Sequence, residues 1–387
     1  MDVLIVGAGA IGAASAWRCA QRGLTVTLVD PEPGRGAWHT AAGMLAPITE
    51  LHYTETPLLT LNLDSLARYA SFAAEVSEES GLPTGYRETG TVAVAWDGAD
   101  LAALRDLHAF AQRLGARAEL ITGRELRTLE PAVAPGLPGA LFAPGDHQVD
   151  PRLLHAALLE AGRRRGVQTV LSNASIVTDG ARVTGARLSD GTVCSAGTVV
   201  LAAGCWSASI DGLPYGTAPP IRPVKGQTLR LRLPGPPLLE HVVRGAVKGT
   251  PIYIVPRADG RLVVGASTEE AGFDRSPRAG AVYELLRDAQ SLVPELGEAV
   301  LDEVCTGLRP GSPDNAPLVG AGVLDGLVLA TGHYRNGILL TPVTADGVAA
   351  LITYGALPEV LAPFAPNRFA DVNGSIERHL ITNGGGT

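Results

Sequence analysis

Three N-terminal glycines, spaced as Gly7-x-Gly9-x-x-Gly12, have the clearest potential for chemistry. They follow the apolar run Val3–Val6, which is typical of a buried parallel strand, and they precede a helix-forming stretch. Glycine permits the tight turn at the first position, close approach to a pyrophosphate at the second and close helix–strand packing at the third. The N–H groups at the start of the helix would then face the phosphates.

An acidic residue stands where this motif needs one. Asp30 ends the second predicted strand, residues 24–29, near the expected spacing of about 20 residues from the glycines. Its carboxylate is suited to accept hydrogen bonds from ribose hydroxyls. The pattern predicts a dinucleotide site that includes Ala10 and Ile11, and the alternative is a glycine-rich packing turn that binds nothing. The motif does not distinguish FAD from NAD.

Composition limits the function classes. The chain has 387 residues, of which 46% are hydrophobic and 18% charged, so a substantial core is expected, in two intertwined domains or in one unusually large domain. A net charge of −8 argues against a nucleic-acid partner. The four cysteines form no CxxC pair and the histidines no HExxH pair, which predicts a reducing, cytoplasmic setting and no metal site.

One apolar run needs a separate explanation. Residues 3–17 carry no charge, but Asp2 stands where a signal peptide would be basic, and glycines interrupt the run. The run is also shorter than the roughly 20 residues that span a bilayer. We predict neither a signal peptide nor a membrane segment.

Three strand–helix units, far apart along the chain, predict one parallel sheet. The second and third units contain the predicted strands 193–202 and 327–330, and a helix over 340–352 follows the latter. Further helices are predicted at 13–22, 58–80, 101–114, 153–165 and 282–292. The β-rich stretches 85–95 and 228–267 predict a second domain.

Three segments, in order along the chain, carry a resemblance to a known family. Residues 41–47 read Ala-Ala-Gly-Met-Leu-Ala-Pro, residues 198–207 end in Ala-Ala-Gly-Cys-Trp-Ser, and residues 332–342 begin Gly-His-Tyr-Arg-Asn-Gly-Ile. The sequence is similar to the glycine oxidases of thiamine biosynthesis, within the D-amino-acid oxidase superfamily. The glycine motif is generic, whereas the first and last of these strings are much more specific. Read without the resemblance, residues 38–47 also fit a plain loop.

The resemblance implies an α/β fold. An FAD-binding, Rossmann-like domain of the glutathione-reductase type is expected, with an interleaved and mostly antiparallel β-sheet substrate domain. The expected division is 1–80, 145–215 and 306–365 for the FAD-binding domain, 81–144 and 216–305 for the substrate domain, and 366–387 for a C-terminal tail.

The resemblance also implies that FAD is bound non-covalently, because Cys305 lies outside the C-terminal turn where related enzymes attach flavin. A helix starting near Gly337 would direct its positive end at the pyrimidine edge of reduced flavin. An ordinary strand-to-helix connection is the alternative. Beyond the dinucleotide residues, the expected cofactor contacts are Thr40, Ala41, Ala42, Gly43, Met44, Ala203, Gly204, Trp206, Gly332, Arg335, Asn336, Gly337, Ile338 and Leu339.

An amino-acid substrate needs a fixed cation for its carboxylate, and arginine can bind one in a bidentate way. The resemblance places this cation at Arg309 and suggests that Tyr253 donates its hydroxyl to the same carboxylate. The alternatives are a solvated arginine and a half-buried structural tyrosine. Arg335, also expected at the catalytic site, has three open roles: contact with substrate, contact with flavin, or an ion pair that holds the turn. Thr268 stands where one glycine oxidase has a methionine that lines the substrate pocket, which leaves side-chain selectivity open.

The implied reaction is oxidative deamination of glycine, and of small amines or D-amino acids. Hydride transfer to flavin N5 gives an imine, which hydrolyses to a 2-oxo acid and ammonia, while oxygen reoxidises the flavin and forms hydrogen peroxide. If the amine is neutral no side-chain base is needed, so His39 and His333 are interpreted as structural hydrogen-bonding groups. The resemblance suggests a role in the thiazole branch of thiamine biosynthesis.

Expected partners are the substrate, oxygen and thiazole-synthesis enzymes, and the sequence leaves a homo-oligomer open. The rival functions are a sarcosine or D-amino-acid oxidase, a dehydrogenase that passes electrons to a quinone or protein, and a non-catalytic cofactor-binding assembly partner.

Overall fold

The computed structural model describes residues 1–369. Residues 370–387, most of the expected tail, lie outside the described residues. The helices are α1 (Ala10–Gln21), α2 (Ala37–Thr40), α3 (Thr56–Ser80), α4 (Gly98–Arg113), α5 (Gly123–Leu129), α6 (Pro151–Arg164), α7 (Ala279–Leu292) and α8 (Thr341–Tyr354). The strands are β1 (Val3–Val6), β2 (Val26–Val29), β3 (Met44–Leu45), β4 (Thr91–Ala95), β5 (Glu119–Thr122), β6 (Gly139–Ala143), β7 (His147–Gln148), β8 (Gln168–Val170), β9 (Ala174–Asp179), β10 (Arg182–Leu188), β11 (Val193–Ser195), β12 (Thr198–Leu201), β13 (Arg222–Arg232), β14 (Val242–Val247), β15 (Thr250–Pro256), β16 (Arg261–Gly265), β17 (Val300–Gly311), β18 (Leu318–Ala321) and β19 (Leu327–Thr331).

The helix boundaries follow from local chemistry. Helix α4 begins after Asp97, whose carboxylate accepts the N–H groups of Ala99 and Asp100. Helices α3 and α8 end at Gly81 and Gly355, which adopt the left-handed conformation that glycine tolerates best. The helices predicted at 58–80, 101–114, 153–165 and 282–292 are confirmed as α3, α4, α6 and α7.

The chain divides into two compact units. The first unit comprises Met1–Gly36, Leu158–Pro223 and the described residues from Arg309, and the second comprises Ala37–Ala157 and Val224–Leu308.

The first unit contains a six-stranded sheet of order β18-β19-β12-β1-β2-β8. Strand β1 is parallel to β2 and β12, and β12 is parallel to β19, so the three predicted strand–helix units meet in one sheet. The predicted strand 193–202 is two strands, because β11 pairs with β10 in a separate three-stranded sheet before β12 joins the parallel one. Helices α1 and α8 pack together, and Arg18 pairs with Asp346 at 2.9 Å.

The second unit contains an eight-stranded sheet of order β17-β13-β16-β15-β14-β4-β6-β5. Five of its pairs are antiparallel, namely β13–β16, β16–β15, β15–β14, β4–β6 and β6–β5, and β14–β4 is parallel, which confirms the predicted mostly antiparallel sheet. Only the end of the predicted strand 85–95 is a strand, because Gly85 and Gly90 adopt positive φ and break it. Helix α7 packs on this sheet, where Leu285 and Leu292 join a buried cluster with Val243 and Ile254.

The division differs from the predicted one in four segments, of which the shortest, 306–308, belongs to the second unit. Residues 37–80 and 145–157 belong to the second unit, because Ile48 and Leu59 pack against Ala93 and Leu141 of its sheet. The stretch 216–223 belongs to the first unit, where Ile221 joins the cluster around the parallel strands. The sequence pattern marks elements but does not reveal which sheet a connecting helix covers.

No single helix among residues 1–369 is long and apolar enough to cross a membrane. Helix α8 meets that test only together with Glu359–Phe369, at a bend of 102°. Within the same residues, no cluster of three or more His, Cys, Asp or Glu side chains is arranged to hold a metal ion.

Candidate active site

The glycine turn lies between β1 and α1 in the first unit. Gly7 has a φ of +107°, and a Cβ there would overlap the carbonyl of Ala202, just after β12. A Cβ on Gly12 would overlap the carbonyl oxygen of Gly7. Both glycines are therefore required for the approach of α1 to the sheet, as the motif predicted.

The N-terminus of α1 is prepared for an anion. Its N-cap, Gly9, supplies no side-chain hydrogen bond, and the first turn contains no acidic residue. Gly9 has φ −68° and ψ −177°, which any residue can adopt, so the backbone itself does not require glycine here. The N–H groups near Ala10 and Ile11 and the helix dipole are the features that a phosphate needs.

Asp30 connects the end of β2 to the glycine turn. Its Oδ2 accepts the N–H of Ala8 at 2.7 Å, and its Oδ1 accepts the N–H of Glu32 at 2.8 Å. A carboxylate oxygen has a second lone pair, so these bonds leave acceptor capacity for ribose hydroxyls. Asp30 thus fixes the turn as well as offering the predicted ligand contact.

The segment after β12 carries the expected contacts Ala203, Gly204 and Trp206. Gly204 has a φ of +56° and opens a short 3-10 helix, and its carbonyl accepts the hydroxyl of Thr331 at 3.0 Å. The Trp206 side chain is exposed. This segment, the glycine turn and the turn after β19 all follow the carboxyl ends of adjacent parallel strands, the edge where such sheets bind ligands.

The turn after β19 is fixed by backbone geometry and a buried histidine. Gly332 has a φ of +76°, and the N–H of Tyr334 donates to the carbonyl of Pro310 at 2.9 Å. His333 is buried and its Nε2 lies 3.0 Å from Thr344 Oγ1. Burial lowers the pKa of His333 to about 3, which keeps the ring neutral.

Helix α8 begins at Thr341, so the prediction of a helix start near Gly337 is wrong. Residues 337–340 form a turn in which Thr341 Oγ1 donates to the Gly337 carbonyl at 2.8 Å. Pro342 then favours the first helical turn, because its fixed φ suits that position and it has no N–H to satisfy. Of the expected contacts in this turn, Ile338 and Leu339 are buried, Asn336 and Gly337 are half-buried, and Arg335 is exposed.

Arg309 lies at the end of β17, and the first unit brings it beside this turn. Gly311 forms an isolated bridge with His333, and Arg309 itself is half-buried. Arg309 is therefore not fully exposed, and its contact with a substrate carboxylate stays a prediction.

In the second unit, Tyr253 lies on β15 opposite Gly265 of β16. A Cβ on Gly265 would overlap the Tyr253 hydroxyl and ring, so the tyrosine lies directly over this glycine. Tyr253 packs with Met44 and Val255, which agrees with the predicted common face of residues 253 and 255. Thr268, three residues after Gly265, is exposed.

The segment 39–44 of the second unit shows contacts that the sequence did not predict. Three arginines and a threonine donate hydrogen bonds to its carbonyl oxygens: Arg152, Thr228, Arg230 and Arg257. The signal in the sequence is a charged residue, Arg230, within the buried stretch of β13. Burial and the charge of Arg152 lower the pKa of His39, which favours a neutral ring.

A family model described as FAD dependent oxidoreductase matches residues 2–351. The chain belongs to this family. FAD is accordingly its cofactor, and the glycine turn, the uncapped helix N-terminus and Asp30 fit a bound dinucleotide.

The bifunctional protein ThiO/ThiG of Synechocystis sp. is 35% identical over 95% of this chain, which spans 54% of that protein. The glycine oxidase of Geobacillus kaustophilus is 36% identical over 95% of this chain and 97% of its own length. Its crystal structure has a TM-score of 0.87 and covers 95% of this chain and 98% of that one, at 35% identity. The iminodiacetate oxidase of Chelativorans sp. is 27% identical with a TM-score of 0.86, covering 94% and 98%.

These matches confirm the predicted family, fold class and cofactor. The individual substrate and cofactor contacts remain predictions.

Proposed function

We propose that this FAD-dependent oxidoreductase oxidises glycine with oxygen as the electron acceptor. Glycine becomes an imine, which hydrolyses to glyoxylate and ammonia, and oxygen becomes hydrogen peroxide. The observation that carries the proposal is the likeness to the glycine oxidase of Geobacillus kaustophilus across nearly the whole of both chains. The bound FAD supplies the two-electron acceptor.

The chain's own residues bind and orient the amino acid. Arg309 is proposed to hold its carboxylate in a bidentate ion pair, which fixes the direction of the α-carbon. Tyr253 is proposed to donate its hydroxyl to a carboxylate oxygen, and its position over Gly265 limits the rotation of the ring. The exposure of Arg335 supports a role at the rim of the site. The neutral His333 is proposed to hold the turn through Thr344 and to take no part in proton transfer.

An N-substituted glycine is the second candidate substrate class. The likeness to iminodiacetate oxidase supports it, as does the exposed Thr268, which is smaller than the methionine expected there. A secondary amine such as sarcosine has the same carboxylate and α-carbon as glycine, so Arg309 would serve both.

A peroxide-coupled assay with glycine, sarcosine, iminodiacetate and D-alanine tests the proposal. We expect the highest kcat/KM with glycine. A higher value with sarcosine or iminodiacetate would establish the second candidate instead. Reduction of an artificial electron acceptor without peroxide would reveal a dehydrogenase.

A place in the thiazole branch of thiamine biosynthesis is part of the proposal, because one relative is a bifunctional ThiO/ThiG protein. A cytoplasmic location is proposed with it, and Cys19, Cys194, Cys205 and Cys305 are free thiols in the structure. Expression in a thiamine auxotroph that lacks glycine oxidase should restore growth. The oligomeric state stays a prediction, which sedimentation would measure.

A further inference from the structure

Five consecutive carbonyl oxygens in the second unit, those of residues 39–43, all accept hydrogen bonds from other segments of the chain. Arg152 Nε and Arg230 Nη2 each donate to the His39 carbonyl at 3.1 Å, and Arg230 also reaches the Ala41 carbonyl at 3.4 Å. Thr228 Oγ1 donates to the Thr40 carbonyl at 2.9 Å. The segment is thus held almost entirely through its acceptors.

The remaining two carbonyls complete the pattern. Arg257 Nη2 donates to the Ala42 carbonyl at 2.6 Å, and the N–H of Val149 donates to the Gly43 carbonyl at 2.9 Å. Among residues 1–369, no acceptor hydrogen-bonds to the N–H groups of Ala42 and Gly43, although both residues are buried. Buried N–H groups without partners are rare in proteins, so these two indicate an acceptor supplied by a ligand.

The three arginines differ in how their charge is balanced. Arg152 forms an ion pair with Glu303 at 2.9 Å, and Arg257 Nε lies 3.6 Å from Asp150 Oδ2. Within the described chain, Arg230 has no carboxylate partner, is only 7% exposed, and its Nε makes no hydrogen bond. A buried and unbalanced cation is costly unless an anion approaches it.

We propose that four side chains, here called the carbonyl bracket, direct the N–H groups of Ala42 and Gly43 at the flavin: Arg152, Thr228, Arg230 and Arg257. Arg230 also supplies the positive charge that favours the reduced, anionic form of the flavin. This inference rests on the proposed function and on the predicted contact of residues 40–44 with the FAD. The charge and the N–H groups are fixed before reduction, so they stabilise the developing negative charge without reorganisation. The members of the bracket are positioning residues.

The midpoint potential of the bound FAD is the decisive measurement, because it needs no amino-acid substrate. We expect Arg230→Met to lower this potential by about 30 mV or more, which is tenfold in a two-electron equilibrium. Inorganic sulfite, an anion that adds to oxidised flavin, should bind at least about tenfold more weakly to the variant. Arg230→Lys keeps the charge and should restore most of both losses.

Arg232→Met is the matched control. It removes a charge from the same strand, but Arg232 is exposed and pairs with Asp302 rather than with residues 39–43. Its potential and sulfite affinity should equal those of the wild-type protein.

An unchanged potential in Arg230→Met would overturn the inference, even if its melting temperature falls, because the role would then be structural only. If Arg230→Met does not fold, Arg230→Gln replaces it, because glutamine removes the charge but can still donate to a carbonyl. Thr228→Val removes one bracket bond and no charge. A potential in the charge-removing variant at least about 30 mV below that of Thr228→Val supports the charge effect, and a potential equal to that of Thr228→Val contradicts it. A shifted potential in a protein that glycine does not reduce would support the inference while refuting the proposed substrate.

Discussion

The two units prepare for a ligand by different means. In the first unit, Gly7 and Gly12 let backbone atoms approach one another, and the phosphate-binding groups are N–H groups at the start of α1. In the second unit, buried side chains such as Arg230 and Arg257 hold the backbone segment 39–43 through hydrogen bonds to its carbonyl oxygens. The glycine turn depends on the lack of side chains at Gly7 and Gly12. The carbonyl bracket depends instead on charged side chains that are distant from residues 39–43 in the sequence.

This difference teaches which part of a binding site tolerates substitution. The glycine turn should fail completely when one Cβ is added, because its neighbours are backbone atoms that cannot move aside. The bracket should lose function by degrees, because its donors are spread over the carbonyls of residues 39–42 and the loss of one donor leaves the others in place.

Gly9→Val should abolish FAD retention and produce the largest loss. The backbone at position 9 suits valine, so the folded unit is expected to persist while the side chain blocks the approach of the pyrophosphate. The ratio of visible to ultraviolet absorbance of the purified protein measures this loss. Gly34→Ala, in open space in the same unit, is the control and should stay yellow. A yellow Gly9→Val protein would refute the backbone account of this site.

Arg309→Ala should weaken glycine binding by about 2–5 kcal/mol and raise the KM for glycine strongly, because a charge-assisted pair with the carboxylate is lost. Steady-state kinetics measure it. Arg278→Ala removes an exposed arginine that pairs with Asp274 and is the control. It should change the binding free energy of glycine by less than about 1 kcal/mol. Equal KM values for the two variants would remove Arg309 from the substrate site.

His333→Gln should make the protein less sensitive to acid. The pKa of His333 is about 3 in the folded chain because of burial, against an ordinary value of 6.5, so below pH 6.5 the unfolded chain binds a proton that the folded chain does not. This contribution to stability is present above pH 6.5 and is lost as the pH falls from 6.5 towards 3.

The fall in Tm between neutral pH and pH 5 measures this effect, and it should be smaller in His333→Gln than in the wild-type protein. His52→Gln changes an exposed histidine and should leave the fall unaltered. An identical acid sensitivity in His333→Gln would contradict a neutral, buried ring.

Thr268→Met should have the smallest effect. A larger apolar side chain at this exposed position is expected to lower kcat/KM for sarcosine relative to glycine by about 1 kcal/mol, because a secondary amine needs the space that threonine leaves. Competition assays with both substrates measure the ratio. An unchanged ratio would place Thr268 outside the substrate pocket.

The sequence predicts the first unit well because its signals are local. The glycines, Asp30 and the three strand–helix units lie within short windows, and the parallel order of β1, β12 and β19 follows from them. The helix predicted over 340–352 is confirmed as α8, whereas the expected start near Gly337 is wrong because residues 337–340 form a turn whose hydrogen bonds composition does not reveal.

The second unit was predicted less completely for a physical reason. Arg152, Arg230 and Arg257 come from separate elements and meet at the carbonyls of residues 39–42 only in the folded chain. An arginine in a strand resembles an ordinary surface residue until its burial is known. The membership of residues 37–80 in this unit was missed in the same way, since it depends on the contact of Leu59 with Leu141.

The central claim is that this flavoenzyme oxidises glycine. Anaerobic mixing of the purified, FAD-loaded protein with excess glycine, followed by visible absorbance, tests it most directly. We predict that the yellow colour bleaches and returns with air while peroxide forms. A protein that stays yellow with glycine but bleaches with sarcosine or D-alanine would contradict the claim.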